Sequence, residues 1–244
     1  MQSKKALNYP NLLRVKNKVF HFILLFLFLG CENDKDNFFP LEKGKLLNYH
    51  VEFYDGESEK KQSKLIYTVV DDNNLESKVL GNSGQIITYS HKKEGIRRES
   101  IDYLDYLSVA NSERKMMRDK ESNHFVLKYP LTIGTNWTVN DLTRSKMKIG
   151  YDKVFETWLP FKLKNKITSI NERVRINNKV YKNCIKVVGK GKTSFNAGPP
   201  LGNINIEILN TDWYAYGVGL VKTIRIEKSD SETMGNIKTV KTFE

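Results

Sequence analysis

The side chains best suited to chemistry in this 244-residue chain are two cysteines and four histidines. The cysteines, Cys31 and Cys184, do not form a CxxC pair. Three of the histidines, His50, His91 and His124, are far apart in the sequence. A zinc site needs three or four His, Cys or carboxylate ligands that converge, usually with short spacings between them. The sequence therefore predicts neither a metal site nor a cofactor.

The sequence also lacks the common catalytic motifs. The stretch GNSGQ at 81–85 does not match the Gly-x-Ser-x-Gly pattern of a nucleophile elbow. The stretch GKGKTSF at 189–195 does not have the register of a phosphate-binding loop. We therefore predict that the protein is not an enzyme and has no catalytic residue. A hydrolase is the less favoured alternative, because catalytic groups can converge in space without a motif in the sequence.

Cys31 differs from the other reactive residues in its surroundings. Residues 1–18 are polar and basic, and an apolar run at 19–30 follows and ends at Gly30. This run is shorter than the roughly 20 residues that a helix needs to span a bilayer. A basic region, a short apolar region and a small residue are the three parts of a secretory signal peptide. We therefore predict a signal peptide over residues 1–30 and a polar tether over 31–37.

The stretch FLGC at 28–31 resembles the bacterial lipobox, the Leu-x-Gly/Ala-Cys signal of lipoproteins, with Phe28 at the usual Leu position. The resemblance implies that the chain is cut after Gly30 and that Cys31 carries lipid, with palmitate as one acyl chain. It implies a membrane-anchored protein of the cell envelope that faces the periplasm. Glu32 favours the outer membrane over the inner. The alternatives are an ordinary cleaved signal and an uncleaved anchor helix.

The net charge of +12 does not point to nucleic acid. Five positive charges, with no acid among them, precede the apolar run, and the remaining lysines are spread among aspartates and glutamates. A nucleic-acid-binding domain concentrates its basic residues on one face or along one helix. The predicted partners are a membrane, through the N-terminal lipid, and a hydrophobic ligand or an envelope protein. Nucleic acid is not a predicted partner.

The remainder of the chain has the pattern of β-strands. Apolar and polar residues alternate at 50–54 and at 173–176, and this period of two is typical of a half-buried strand. Other apolar and β-branched runs are separated by Gly, Asn, Asp and Pro. The pair Asn177-Asn178 predicts a type I′ hairpin turn, because Asn tolerates positive φ.

Many short strands in succession predict an all-β, mainly antiparallel fold. The sheet could be a curved sheet, an open barrel or a sandwich, with at most one short helix, at 101–118. Residues 38–244 are predicted to form a single β-rich domain.

One pattern occurs twice in this domain. The stretches FPLEKGKLLNY at 39–49 and YPLTIGTNWTV at 129–139 align without a gap, each with an aromatic residue, Pro-Leu and then Gly. Pro ends one element and Gly permits a turn, so that the next strand begins with a core residue. This predicts a duplicated strand-entry motif, and the alternative is chance recurrence of a common turn.

Three stretches resemble an uncharacterised group of bacterial exported proteins and lipoproteins. They are FFPLEKGKLLNY at 38–49, VYKNCIKV at 180–187 and DWYAYGVGLVK at 212–222, which are similar to the opening, middle and closing motifs of that group. Leu47 replaces the Trp of the opening motif. The group has no established reaction, so the resemblance implies a β-rich exported domain and nothing catalytic.

The closing motif contains three aromatic residues, Trp213, Tyr214 and Tyr216. Either they face a ligand or they plug the end of a sheet. Taken together, these features predict a non-enzymatic, lipid-anchored envelope protein that binds an apolar ligand, a wall polymer or a protein partner. The alternative is a structural or assembly lipoprotein that acts through a sheet face or a strand edge.

Overall fold

The computed structural model describes residues 37–56, 59–73, 75–103, 124–149, 153–199 and 201–244. Within these ranges the chain forms one antiparallel sheet of twelve strands, and no helix occurs there. The strands are, in chain order, β1 (Leu46–Asp55), β2 (Glu59–Asn73), β3 (Glu76–Gly81), β4 (Gln85–Lys92), β5 (Gly95–Tyr103), β6 (His124–Lys128), β7 (Asn136–Ile149), β8 (Lys153–Ile176), β9 (Lys179–Asn196), β10 (Asn203–Ala215), β11 (Gly219–Ser229) and β12 (Asn236–Phe243).

The strand order is β6-β5-β4-β3-β2-β1-β12-β11-β10-β9-β8-β7, and the sheet curls into a nearly closed barrel. The all-β prediction is confirmed, and the barrel is the form that the sheet takes. Of the predicted helix, residues 101–103 belong to β5, and residues 104–118 lie outside the described residues. The hairpin at Asn177-Asn178 joins β8 to β9, but only Asn177 has positive φ, so the turn is not type I′.

The side chain of Trp137 joins the edge strands β6 and β7, and the side chain of Tyr214 joins β10 to β6. Trp137 Nε1 on β7 donates to the carbonyl oxygen of Phe125 on β6 at 3.0 Å. The hydroxyl of Tyr214 on β10 reaches across the interior to the carbonyl oxygen of Val126, at 3.5 Å. No backbone pairing joins β6 to β7 among the described strands, so side-chain contacts close the barrel at this seam.

The strands β1 and β7 begin in the same way. Gly44 and Gly134 both have positive φ, 87° and 99°. The N–H of Gly44 donates to Val69 at 2.8 Å, and the N–H of Gly134 donates to Ile167 at 2.9 Å. A second hydrogen bond runs in the opposite direction at each site. The N–H of Val69 donates to the carbonyl oxygen of Lys45 at 3.0 Å, and the N–H of Ile167 donates to that of Thr135 at 2.9 Å. The two entry segments thus attach to the neighbouring strand by the same pair of hydrogen bonds.

The largest apolar core lies along β7 to β10. It includes Phe161 on β8 and three isoleucines of β10, Ile204, Ile206 and Ile208, each at most 6% exposed. Two glycines of β9 make room for this core. A Cβ at Gly191 would lie 2.5 Å from the Phe161 ring, and a Cβ at Gly189 would overlap the side chain of Asn165. The GKGK stretch is therefore explained by packing inside a strand.

Candidate ligand-binding cavity

A cavity of about 450 Å³ lies inside the barrel, and all twelve strands contribute to its wall. This volume is in the range of roughly 300–1,000 Å³ that is typical of small-molecule sites. Strand β10 passes from the core to the cavity. Its inward residues are apolar as far as Ile208 and belong to the core, whereas Asn210, Asp212 and Tyr214 line the cavity. Ten aliphatic residues line the cavity on other strands: Leu47, Val51, Leu65, Val79, Ile87, Val126, Val139, Leu163, Val187 and Leu220.

The segment before β1 covers one end of this cavity. Phe39 packs against Tyr89 with the ring centroids 5.1 Å apart, and its ring lies 6.4 Å from that of Tyr214. Pro40 and Leu41 also line the cavity, and Leu41 is 5% exposed. We call residues 38–41 the plug.

The closing motif holds the plug in place. The N–H of Gly217 donates to the carbonyl oxygen of Asn37 at 2.6 Å. Lys45 Nζ lies 3.4 Å from the carbonyl oxygen of Val218 and donates to it. Gly217 and Gly219 have φ of 72° and 103°, a conformation that glycine adopts without strain. The first and last of the three motifs found in the sequence therefore contact each other at the plugged end.

The three aromatic residues of the closing motif have different surroundings. Tyr214 is 3% exposed and lines the cavity beside the plug. Trp213 faces away from it, with the ammonium groups of Lys186 and Lys222 each 5.7 Å from its ring. Tyr216 is 48% exposed and packs edge-on against the plug. Only Tyr214 of the three lies at the cavity, and whether it contacts a ligand stays a prediction.

The predicted lipidation site, Cys31, and the predicted cleavage flank, Gly30, lie outside the described residues. Cys184 is fully buried in a small cluster with Val174 and Tyr181. Burial raises the pKa of the Cys184 thiol. Since the thiolate is the reactive form, Cys184 serves packing.

The polar part of the cavity wall contains an arginine with two carboxylate partners. Arg225 Nη1 donates to Asp141 at 2.7 Å, and its Nε donates to Glu227 at 2.7 Å. A hydrogen bond from Thr143 also reaches Glu227. Burial acts to lower the pKa of Arg225, but the two carboxylates outweigh it and raise the pKa. This charge is therefore fully compensated by its own neighbours.

Asp212 also has partners on both carboxylate oxygens. The Thr223 hydroxyl donates to Oδ1 and the Asn210 amide donates to Oδ2, both at 2.7 Å. Burial raises the pKa of Asp212, and these hydrogen bonds with the charges of Lys241 and Arg225 offset only part of that rise. Both oxygens of Asp212 therefore have neutral hydrogen-bond donors, while burial at the cavity wall disfavours the charged form of the carboxyl group.

Lys241 on β12 faces the cavity without such partners. Its ammonium group lies 5.1 Å from the centre of the Tyr49 ring. It forms no ion pair and no hydrogen bond with any residue that the structure describes. Burial lowers its pKa, the charge of Asp212 opposes this, and the charge of Arg98 adds to it. Lys241 is thus a cation at the cavity wall that has no direct ion pair within the described ranges, and the nearby charge of Asp212 compensates it only in part.

Tyrosine hydroxyls complete the wall. Burial raises the pKa of Tyr49 and Tyr214 well above the usual value for tyrosine, and it raises that of Tyr89 to about 12. These hydroxyls therefore stay protonated at neutral pH and remain hydrogen-bond donors.

The three histidines do not come together. His50 Nε2 lies 3.7 Å from Glu52 Oε1, and His124 Nδ1 lies 3.4 Å from an Arg98 nitrogen at the cavity wall. His91 contacts Ser77, which is fully buried.

Ser77 and His91 do not have the arrangement of a hydrolase. The Ser77 hydroxyl donates to Asp72 at 2.9 Å, whereas a nucleophilic serine gives its proton to the histidine. Within the described ranges, no group of three or more His, Cys, Asp or Glu side chains is placed to hold a metal ion. No helix suited to crossing a membrane occurs in those ranges either.

Sequence reasoning missed the charged residues of the cavity wall, which are Arg98, Asp141, Asp212, Arg225 and Lys241. Thr223 and Arg225 lie two residues apart and so share one face of β11, but charged side chains on a strand normally face water. The alternation therefore gave no reason to place this face inside the barrel.

Comparison with known proteins gives structural likeness alone. No family model and no curated protein matches the chain. Similar solved structures include a protein from Parabacteroides distasonis assigned as a lipoprotein, with 15% identity over 87% of this chain and 100% of that one, and a TM-score of 0.47. A protein from Bacteroides fragilis, assigned as exported and with a YmcC-like fold, has 13% identity over 86% and 98%, and a TM-score of 0.39. The hypothetical lipoprotein YmcC from Escherichia coli has 11% identity over 99% and 97%, and a TM-score of 0.34.

Proposed function

We propose that this protein is a non-enzymatic, lipid-anchored protein of the cell envelope whose barrel binds a small hydrophobic ligand. The observation that carries the proposal is the cavity of about 450 Å³ with its aliphatic and aromatic wall. Burying apolar ligand surface against such a wall contributes roughly 25 cal/mol per Å². The alternative is assembly through a strand edge, and β6 and β7 are the edge strands to which it would apply.

The proposed anchor would hold one end of the barrel near the membrane. Cys31 precedes Asn37, the first described residue, by a short polar stretch. At 3.3–3.6 Å per residue, this stretch spans at most about 20 Å. Because Asn37 is hydrogen-bonded to Gly217, the plugged end is the end that would face the bilayer. More than one acyl chain on Cys31 would make the attachment stable.

Binding can be tested with the neutral fluorescent probe N-phenyl-1-naphthylamine and the purified domain. We expect saturable binding to one site, and we expect Ile87→Trp to weaken it at least tenfold, since the larger side chain extends into the cavity. Ile86→Trp is the matched control, because the neighbouring side chain lies on the opposite face of the strand. Val79→Phe serves as a second cavity-filling variant.

The binding proposal fails if the probe does not saturate, or if both cavity-filling variants bind it as the wild type does while folded by circular dichroism. A positive result would be extended by extracting the protein from its native envelope with organic solvent and identifying released molecules by mass spectrometry.

The anchor is tested separately with Cys31→Ser in the full chain. We expect the mature protein to lose the mass of its acyl chains and to leave the membrane fraction. An unacylated wild-type N-terminus in intact-protein mass spectrometry would refute the anchor and leave the cavity proposal standing.

A further inference from the structure

We propose that the ligand is an amphiphile with an acidic head group, a carboxylate or a phosphate, which Lys241 binds inside the barrel. This inference rests on the proposed function and adds to it the chemistry of the ligand. Three observations support it: the lack of a partner for Lys241, the saturation of neighbouring charges, and the position of the apolar wall.

The first observation is that Lys241 has no ion pair or hydrogen bond within the described ranges. Lys241 is half-buried, and an ammonium group that loses part of its hydration without a direct ion pair is destabilised. The ring of Tyr49, 5.1 Å away, stabilises the charge only in part. An anion in the cavity would supply the missing partner.

The second observation is that other charges at the wall are already occupied. Arg225 is bonded to Asp141 and Glu227, so little of its charge is left for a ligand. Asp212 accepts hydrogen bonds on both oxygens from the residues beside it. Arg98 lies near enough to Lys241 to lower its pKa, and its charge adds to the positive potential there. Among these groups, Lys241 is therefore the cation with which an anionic ligand can pair.

The third observation is the register of β12. Lys241 pairs with Val51 on β1 and with Thr223 on β11. On the β1 side the wall continues as Leu65, Val79 and Ile87 on the next three strands. A molecule with its head at Lys241 would thus have an aliphatic wall on one side for its chain. The cavity joins one cationic group to one apolar surface, and this combination matches an amphiphile.

The test is displacement of N-phenyl-1-naphthylamine from the domain by three molecules with the same ten-carbon chain. They are decanoic acid, decyl phosphate and decan-1-ol. We expect at least one of the two acids to displace the probe at a concentration at least tenfold lower than decan-1-ol does, as is typical of a charge-assisted hydrogen bond. The acid that binds more tightly identifies the head group as a carboxylate or a phosphate.

Lys241→Met should remove the advantage of the acids and leave the affinity for decan-1-ol within about twofold. Lys241→Gln should do the same, and it is the second variant if the first does not fold. Lys238→Met is the matched control, since Lys238 is on the same strand and exposed on the outer face. It should bind all three molecules as the wild type does.

The proposal is overturned if decan-1-ol and both acids compete equally with the wild type, or if both Lys241 variants keep the preference for acid. It is also overturned if acetate or inorganic phosphate displaces the probe as strongly as its ten-carbon counterpart, because the site would then bind a free anion. Failure of the proposed function gives a different result, since the probe itself would not bind.

Discussion

The two halves of the barrel, β1–β6 and β7–β12, begin with the same turn but differ in what they place inside. Gly44 and Gly134 have the same sign of φ, and each donates to a fully buried residue on the neighbouring strand, Val69 or Ile167. Both turns lead into strands with buried inward residues, Leu47 in one half and Trp137 in the other. The entry turn therefore determines how a strand attaches to its neighbour in the barrel. It does not determine which side chains that half of the barrel places in the interior.

The interiors differ in their packing. The main apolar core draws nearly all its buried members from the second half, and only Ile96 and Leu127 come from the first. The first half has a smaller core around Val69 and Val79 and contributes three cavity-facing tyrosines, Tyr49, Tyr67 and Tyr89. The filled core thus lies mainly in the second half, whereas residues of both halves line the cavity.

The largest expected effect tests this division with one substitution made twice. Ile206→Ala removes a side chain from the filled core and should cost about 3–5 kcal/mol of unfolding free energy, because it creates a new cavity. Ile87→Ala removes the same atoms from the wall of an existing cavity and should cost about 1–2 kcal/mol. Urea unfolding with matched m-values measures both. Equal costs would contradict the division of the interior into a filled and an open part.

The next effect tests the likeness between the halves. Gly44→Ala and Gly134→Ala each force a residue with a Cβ into the left-handed region, although neither Cβ would meet another atom within 4 Å. We expect each to cost about 1–2 kcal/mol, from backbone strain alone. The two values, measured by thermal unfolding, should agree to within about 0.5 kcal/mol. A cost at only one glycine would show that the shared hydrogen bonds do not make the two turns equivalent.

The sequence predicted the strands whose inward residues are apolar. Residues 50–54 and 173–176 alternate strictly, and they lie in β1 and β8. Alternation of apolar and polar residues is weaker in β3, β5 and β7, because polar residues interrupt their inward faces. Ser77 on β3, Arg98 on β5, and Asp141, Thr143 and Ser145 on β7 all face the interior. A strand that buries polar groups does not show the period on which sequence reasoning depends.

The candidate site was predictable only where it is aromatic. Tyr214 belongs to a motif that stands out by its spacing, whereas Lys241 and Arg225 look like ordinary exposed charges on a strand. Their inward placement depends on pairing between distant strands, such as that of Lys241 with Val51 on β1. Such pairing is a long-range property, and a single sequence read along the chain does not contain it.

The smallest expected effect is on how the free energy of unfolding depends on pH. A carboxyl group at the cavity wall and one on the outer surface should give opposite signs. Burial raises the pKa of Asp212 above its unfolded value of 3.8, so the folded state holds the proton to higher pH than the unfolded state. Stability from this group is therefore present below about pH 4 and is lost as pH rises through the folded pKa. Asp212→Asn should remove that loss, so its stability relative to the wild type should increase between about pH 4 and pH 7.

Asp230 on the surface provides the opposite control. Hydrogen bonds from the Asn205 side chain and backbone lower the pKa of Asp230, so its contribution is present above the unfolded value and is lost as pH falls. Relative to the wild type, Asp230→Asn should therefore lose less stability at low pH than at neutral pH. Asp212→Asn should show the opposite trend, since its stability relative to the wild type increases as the pH rises. Unfolding free energies measured for the three proteins across this pH range test both signs. If the two variants followed the same trend, Asp212 would behave as a surface carboxylate, and the cavity wall would not carry the desolvated charge that distinguishes it from the outside of the barrel.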